Sequence, residues 1–567
     1  MNIENLKQNP FFLTDDDVNW VESTLKAMTD DEKIGQLFFM VGYRQDEEFL
    51  THLSKDLGVG GLMCRPMDKD SVIAAVTTLQ RNSRIPMLIA ANLENGGKGI
   101  VQEGTRIASN MAVAATGDPD YAYQLGKICA EEGKSVGANF AFAPVIDIDY
   151  NFRNPITNTR TFGSDPDMVL RCGEAYLKGC QEQDVCVSIK HFPGDGTDER
   201  DQHLVTSINS LSPEEWEATY GRNYRYLVDH GAKAVMVGHI AQPQYSKKLN
   251  PSLSDADILP ASLSPELLKG LLRGSMGFNG LILTDATTMA GFAMAMPRDQ
   301  AVPKAIENGC DMFLFTKNLE EDVGFMRKGF QDGLLSRERL EEAVRRILAL
   351  KASLGLHKKD NIPDAKAAER VLGCNEHRQA AREIADRSIT LVKEQPGLLP
   401  LSPEKQKRVL LYDIEGEANA IGYSRESGLT GQLRGLLEKE GFTVTLFHAD
   451  GVYEGHQSSY SKMREDYDLI LYLCSLATKS NQTVVRIEWQ NPMGLNVPIY
   501  FKSIPTVFIS VENPYHLLDV PRVPTYINTY GVNDYTLELL VDKLLGRSEF
   551  VGKSPVDPFC GKWDTKL

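Results

Sequence analysis

The sequence has no run of about 18 apolar residues, so no membrane-spanning helix is expected. It has no CxxC pair among its nine cysteines. An odd count in apolar settings such as "KICAEEG" and "LYLCSLA" reads as buried free thiols in a reducing compartment. The first residues, "MNIENLKQNPFFLTDDD", lack the basic start and apolar centre of a secretion signal, so the cytoplasm is the expected location. Positive charge is in deficit: the formal net charge of −16 argues against nucleic acid or an anionic membrane as partner. There is no GxGxxG and no P-loop to bind a nucleotide, and no HExxH or early-strand HxH to bind a metal. No short-period repeat or low-complexity tract is present. What remains is ordinary globular composition over 567 residues, too long for one hydrophobic core, so two or three domains are expected. Nothing in the sequence sets an oligomeric state.

From residue 35 to about 350, short apolar runs alternate with longer amphipathic segments. The runs are "GQLFFMVG", "GVGGLM", "MLIAAN", "NFAFAPVID", "VCVSIKH", "AVMVGH", "GLILTD" and "MFLFTK". Segments such as "PDYAYQLGKICAEEGKSVG" between them space apolar residues three and four apart, as a helix does. Continuous apolar strands separated by helices imply a parallel sheet covered on both faces. Eight of them predict a (β/α)₈ barrel over residues 1–355. An open doubly wound sheet would also carry polar groups at its strand ends, but the count favours the barrel. The runs end in Asn92 and Glu94, Asp147 and Asp149, Lys190 and His191, His239, Asp285 and Lys317. In a barrel these positions share the C-terminal rim, where active sites are built. Residues 356–378, rich in charge, read as a linker into a helix. A second alternation, including "RVLLYDI", "FTVTLFHAD", "DLILYLC", "TVFISVEN" and "TYINTYG", predicts a smaller α/β sandwich domain with a mostly parallel sheet over residues 379–567.

The stretch "KHFPGDGTDERDQH", residues 190–203, follows the fifth run and crowds ionisable groups onto a loop broken by Pro193, Gly194 and Gly196. Asp201 and His203 are two apart, a spacing that in an extended segment puts both side chains on one side. A carboxylate beside an imidazole fixes its tautomer and stabilises its charged form, which suits a general acid/base. Two other readings stay open on the residues alone. The loop is either a solvated acidic turn, or a metal site drawing on His191, Asp195, Asp198, Asp201 and His203. Asp285, at the end of "GLILTD", is either a carboxylate exposed in a barrel-floored pocket or the N-cap of the next helix. A carboxylate and a proton donor flanking one bond are what glycoside cleavage needs.

Taken together, these segments resemble the family 3 glycoside hydrolases, most nearly their bacterial β-N-acetylglucosaminidase branch. That branch carries approximately K-H-F-P-G-H-G, a spacer and D-S-H; here the sequence reads "KHFPGDG", a spacer and "DQH". "FAPVIDID", "NPITNTRTFGSDP", "VMVGHIAQP", "PASLSPELLKGLLRGSMGFNGLILTD" and "RSITLVKEQPGLLPL" follow in family order. The resemblance implies a retaining, exo-acting glycosidase that removes a terminal β-linked N-acetylhexosamine, with N-acetylglucosamine foremost. Asp285 matches its nucleophile, His203 its acid/base and Asp201 the partner of that histidine. Lys190, His191 and Arg160 match residues that hold the sugar's hydroxyls and acetamido group, and Met236 lines the same pocket. No metal and no organic cofactor are implied.

Departures from the pattern affect recognition and leave the sugar open: N-acetylgalactosamine or an unacetylated sugar stands beside N-acetylglucosamine. Asn92 stands where the family carries an aspartate that binds distal sugar hydroxyls, and an amide both donates and accepts where a carboxylate only accepts. Lys98 and Ile100 replace arginines, and Asp195 replaces a second histidine. Three alternatives follow. Phosphate could replace water as the final acceptor, since a histidine repels it less than a carboxylate would. A metal-dependent hydrolase on the same barrel would lose activity on chelation, and a silent sugar-binding protein would show no turnover.

Overall fold

The computed structural model describes residues 3–415, 428–448, 459–478, 480–483, 486–490 and 494–567. The last two residues of the run "FTVTLFHAD", Ala449 and Asp450, lie outside them. The chain divides into two compact units. One comprises Met1–Arg106, Ala122–Thr157 and Pro166–Arg378; the other comprises Ile107–Tyr121, Asn158–Asp165 and Gln379–Leu567.

In the first unit all eight expected runs become strands: β1 (Phe38–Val41), β2 (Gly61–Met63), β3 (Leu88–Ala91), β4 (Phe140–Ala141), β5 (Cys186–Phe192), β6 (Ala234–Val237), β7 (Leu281–Thr284) and β8 (Phe313–Leu314). Each pairs in parallel with its neighbour, and β1 pairs with both β2 and β8. The ring is completed by a parallel bridge between Leu283 and Met312. Nearly every strand residue is buried, as expected where helices cover the outside and side chains fill the centre. Part of that filling is aromatic: Phe39, Phe140 and Phe142 stack edge to face or tilted at 5.1–6.1 Å. Helices start where the sequence offers a cap. Thr14 and Asp17 form a reciprocal capping box at the head of Asp15–Ala27. Residues 356–378 contain a short helical turn and the helix Ala365–Val371, and run into the helix Asn375–Ser388.

Among the described residues the second unit is built on six strands, β9 (Thr390–Lys393), β10 (Arg408–Glu415), β11 (Thr443–Leu446), β12 (Leu469–Ser475), β13 (Thr506–Ser510) and β14 (Thr525–Asn528), in the order β9-β14-β13-β12-β10-β11. All pairs are parallel except β9 with β14. Alternate residues of each strand feed two cores. Val409, Leu411, Leu471 and Ile509 face the helices Leu429–Lys439 and Thr536–Leu544, while Leu410, Tyr472, Phe508 and Tyr526 pack on the opposite face. On that second face Tyr412, Tyr472, Phe508 and Tyr526 form a stacked row at 4.4–5.6 Å. The fold is therefore a barrel unit and an α/β sandwich unit with a mostly parallel sheet. β9, on the segment "SITLVK", is an antiparallel edge strand that the alternation of apolar runs did not separate from the preceding helix.

Candidate active site

The barrel's C-terminal rim gathers the strand-end polar residues. β5 runs long enough to carry Lys190 and His191 inside the strand, both buried. Lys190 Nζ donates to Glu94 Oε1 at 2.7 Å, on the loop after β3. The His191 backbone N–H donates to Asp147 Oδ1 at 3.0 Å, and its Nδ1 lies 2.7 Å from Asp147 Oδ2. The remaining His191 nitrogen, Nε2, stands 3.9 Å from Asp285 Oδ2. A second-layer carboxylate thus fixes the imidazole, and the imidazole faces Asp285.

Asp285 follows β7. Its backbone N–H donates to Val237 O at 2.8 Å, and its Oδ1 accepts from the Ala286 N–H at 2.7 Å. The next helix starts at Ala290 with Met289 at its cap, so Asp285 caps no helix. Burial pushes the Asp285 carboxyl up, but His191, foremost among the facing imidazoles, with the Ala286 N–H, outweighs it and holds the group below the usual carboxylate range. His239 ends the β6 segment and is fully buried, which pushes it down to about 4. It is therefore neutral at neutral pH. Its Nε2 faces the Ala286 carbonyl at 3.0 Å and must carry the proton, so its Nδ1 accepts from Ser262 Oγ at 2.8 Å.

Asp201 and His203 do come together, though not as an extended pair. Residues 202–204 form a turn in which the Leu204 N–H donates to Asp201 O at 2.9 Å. Asp201 Oδ1 accepts the His203 backbone N–H at 2.8 Å and lies 2.7 Å from its Nδ1. The physical reason is local: an aspartate readily bonds the main chain two residues on, closing a turn instead of leaving a strand. The Asp201 side chain is fully buried and that of His203 is 28 % exposed, so the ring's Nε2 is the nitrogen left to meet a substrate.

The other expected residues are placed as follows. Met236 lies on β6 and is buried, and Asn92 follows β3 directly and is exposed. Arg160 belongs to the second unit. It closes a helical turn, Asn158–Arg160, and its carbonyl accepts from Asn110 Nδ2 at 2.7 Å. Its assignment as a sugar contact rests on the resemblance alone. The metal reading of the charged loop finds no support. Among the described residues no group of three or more His, Cys, Asp and Glu is arranged to hold a metal ion. Instead His191 is held by Asp147 and His203 by Asp201. Sequence reasoning marked Glu94, Asp147 and His239 as polar strand ends without giving them work; their partners lie 23 to 96 residues away in the chain. No spacing rule reaches across such separations.

The rim thus carries an ionised carboxylate, Asp285, a histidine with one nitrogen held by a buried carboxylate, His203, and the buried Lys190 and His191. Residues 29–350 match the Glycosyl hydrolase family 3 N terminal domain, and the chain belongs to that family. It is a glycosidase by that membership and by its relatives. The chain is 53 % identical over 558 residues to a Beta-N-acetylglucosaminidase/beta-glucosidase of Cellulomonas fimi, covering 98 % of this chain and 99 % of the relative. It is similar to the solved structure of Beta-glucoside phosphorylase BglX, with 45 % identity, a TM-score of 0.93 and full coverage of both chains. A family 3 β-N-acetylglucosaminidase from Paenibacillus sp. str. FPU-7 shares the fold, with a TM-score of 0.79 at 23 % identity over 94 % of this chain and all of that one.

Proposed function

We propose that the chain cleaves terminal β-linked sugars of gluco configuration, N-acetylglucosaminides and glucosides, by double displacement. The observation that carries this is Asp285, held ionised at the barrel rim with His191 Nε2 at 3.9 Å, beside a histidine paired to a buried carboxylate at 2.7 Å. In the first step an Asp285 oxygen bonds the anomeric carbon while His203 Nε2 gives its proton to the departing glycosidic oxygen. Asp201 stabilises the imidazolium before that transfer and fixes which nitrogen carries the proton. In the second step an acceptor attacks the same carbon, its proton passes to His203, and the ester to Asp285 breaks. Two inversions give net retention. Lys190 and His191 grip sugar hydroxyls, Met236 lines the pocket, and Asn92 meets the distal hydroxyls.

Water as the acceptor makes the protein a hydrolase. A second reading, with phosphate as acceptor and a sugar 1-phosphate as product, is supported by full-length similarity to a protein described as a β-glucoside phosphorylase. The imidazole at position 203 favours it too, because it places no fixed negative charge where phosphate must approach. One experiment addresses both. Aryl β-glucosides and β-N-acetylglucosaminides are turned over with and without phosphate, the products are followed by phosphorus NMR, and wild type is compared with H203A and D285N. Turnover of either glycoside, lost in D285N by at least ~10³-fold, supports the reading. Turnover of neither sugar would end it.

A further inference from the structure

Between the two members of the Asp201–His203 pair sits Gln202, whose side chain points the other way and is 1 % exposed. Its amide makes two contacts. Nε2 donates to Asp195 Oδ2 at 3.3 Å, and Oε1 accepts the His239 backbone N–H at 2.7 Å, at the end of the β6 segment. Asp195 is equally buried and tied to the barrel from three sides. Its N–H donates to Asp147 Oδ1 at 2.8 Å, its Oδ1 accepts from Gly196 N and Asn154 Nδ2 at 2.7 and 3.0 Å, and its carbonyl accepts from Tyr220 OH at 2.6 Å. The main chain of the turn is gripped as well. Gly291 N donates to Gln202 O and Ala290 N to His203 O, both at 3.1 Å, and a Cβ on Gly291 would come within 2.6 Å of Gln202 O.

We propose that Asp195 and Gln202 are positioning residues that latch the proton-donating histidine to the barrel. The inference rests on the reading of His203 as the acid/base. Three N–H groups converge on the two carboxyl oxygens of Asp195, so both oxygens serve as acceptors there. The Gln202 amide cannot turn over, because its NH₂ would then face the His239 N–H. The amide is thus oriented from both ends, and its backbone carries Asp201 on one side and His203 on the other. Burial and the neighbouring charges of Asp147 and Asp201 push the Asp195 carboxyl up to about 8. Both of its oxygens are engaged by N–H donors whichever form it takes, so the group holds geometry.

The test reads proton donation separately from folding. Rates are measured on a series of aryl β-glycosides whose phenols range from dinitrophenol, which leaves without help, to phenol, which needs a proton. H203A sets the reference: loss on the phenyl glycoside should exceed loss on the dinitrophenyl one by ~10²-fold. D195N puts an NH₂ against the Gln202 NH₂, and should show the same selectivity at reduced size, about 10-fold. The reversed pair, D195N/Q202E, restores a donor facing an acceptor and leaves an acceptor for His239 N–H, and should recover most of that loss. Q202L, which removes both contacts, gives the same readout should D195N not fold, as judged by circular dichroism. If H203A is selective but D195N and Q202L lose activity equally on all leaving groups, or none at all, the latch is wrong while the acid/base reading stands. Absence of recovery in the reversed pair also overturns it. If H203A itself shows no selectivity, the acid/base reading fails and the latch goes with it.

Discussion

Asp201 meets both the main-chain N–H and the Nδ1 of His203 from a fully buried position. Replacing it with asparagine keeps the turn and the volume but removes the charge that stabilises the imidazolium and selects its tautomer. D201N should therefore lose roughly 10²–10⁴-fold in kcat on glycosides with poor leaving groups while KM changes little. Steady-state kinetics on the phenyl glycoside checks it, and a loss confined to KM would contradict it. Asn92 makes a different prediction, because it is exposed and next to the end of β3. N92D should change the ratio of glucoside to N-acetylglucosaminide turnover with no change in melting temperature; an unchanged ratio would remove it from recognition. At this scale the motifs carrying Asp201, His203 and Asp285 are short and ordered, and the folded chain joins Asp201 to His203 and turns His191 towards Asp285. Asp195 was marked only as a departure from the family pattern, and Gln202 stood only as the middle letter of "DQH" where the branch has serine. That these departures face each other at 3.3 Å is a fact of the folded loop.

The helix Arg337–Ser353 buries Lys351 completely, with its Nζ bonded only to Gln36 Oε1 at 2.6 Å among the contacts described. Burial pushes this ammonium down to about 7. Since the folded value lies below the ordinary lysine value, the unfolded chain binds more protons between the two, and stability rises with pH across that window. Below pH 7 the full cost of the buried charge is present. K351M should raise the melting temperature at pH 7, and its advantage should shrink towards pH 9 by ~2 kcal/mol of unfolding free energy, which melting curves at the two pH values measure. A constant difference would mean Lys351 is not the titrating group. The helix Asp120–Ser135 carries a contrasting case. Glu132 is fully buried yet accepts four hydrogen bonds, from Thr105 N and Oγ1, Gly373 N and His377 Nδ1. E132A leaves those donors without their acceptor and should cost ~2–4 kcal/mol, read as a fall in melting temperature. Neither residue stood out in the sequence: helical periodicity marks which face is inward but cannot tell a satisfied buried charge from a solvated one.

For the whole molecule, the division of the chain does not follow the order of the sequence. Two segments from within the barrel's range, Ile107–Tyr121 and Asn158–Asp165, belong to the sandwich unit. There Ser109 Oγ donates to Tyr530 O at 2.6 Å, Lys553 N donates to Ala115 O at 2.8 Å, and Asn158 Nδ2 donates to Asn513 Oδ1 at 3.2 Å. A chain ending at residue 378 would strip these partners from Asn158, from Ala115 and from Ser109, the cap of the buried helix Asn110–Ala115. It should aggregate or bind the dye ANS, whereas the intact chain stays soluble; a monomeric, fully active fragment would contradict this.

The barrel and the sandwich were legible because apolar runs of strand length, separated by amphipathic helices, leave few ways to bury both faces of a parallel sheet. The gathering of polar groups at strand ends was legible for the same reason, since a barrel places those ends on one rim. What required the tertiary structure was every relation between residues far apart in sequence: Glu94 with Lys190, Asp147 with His191, His239 behind Asp285. The allegiance of residues 107–121 and 158–165 is of the same kind. Strand and helix periodicity is local and repeats within a few residues, whereas hydrogen-bond partners and charge environments depend on which chain segments the packed core brings together.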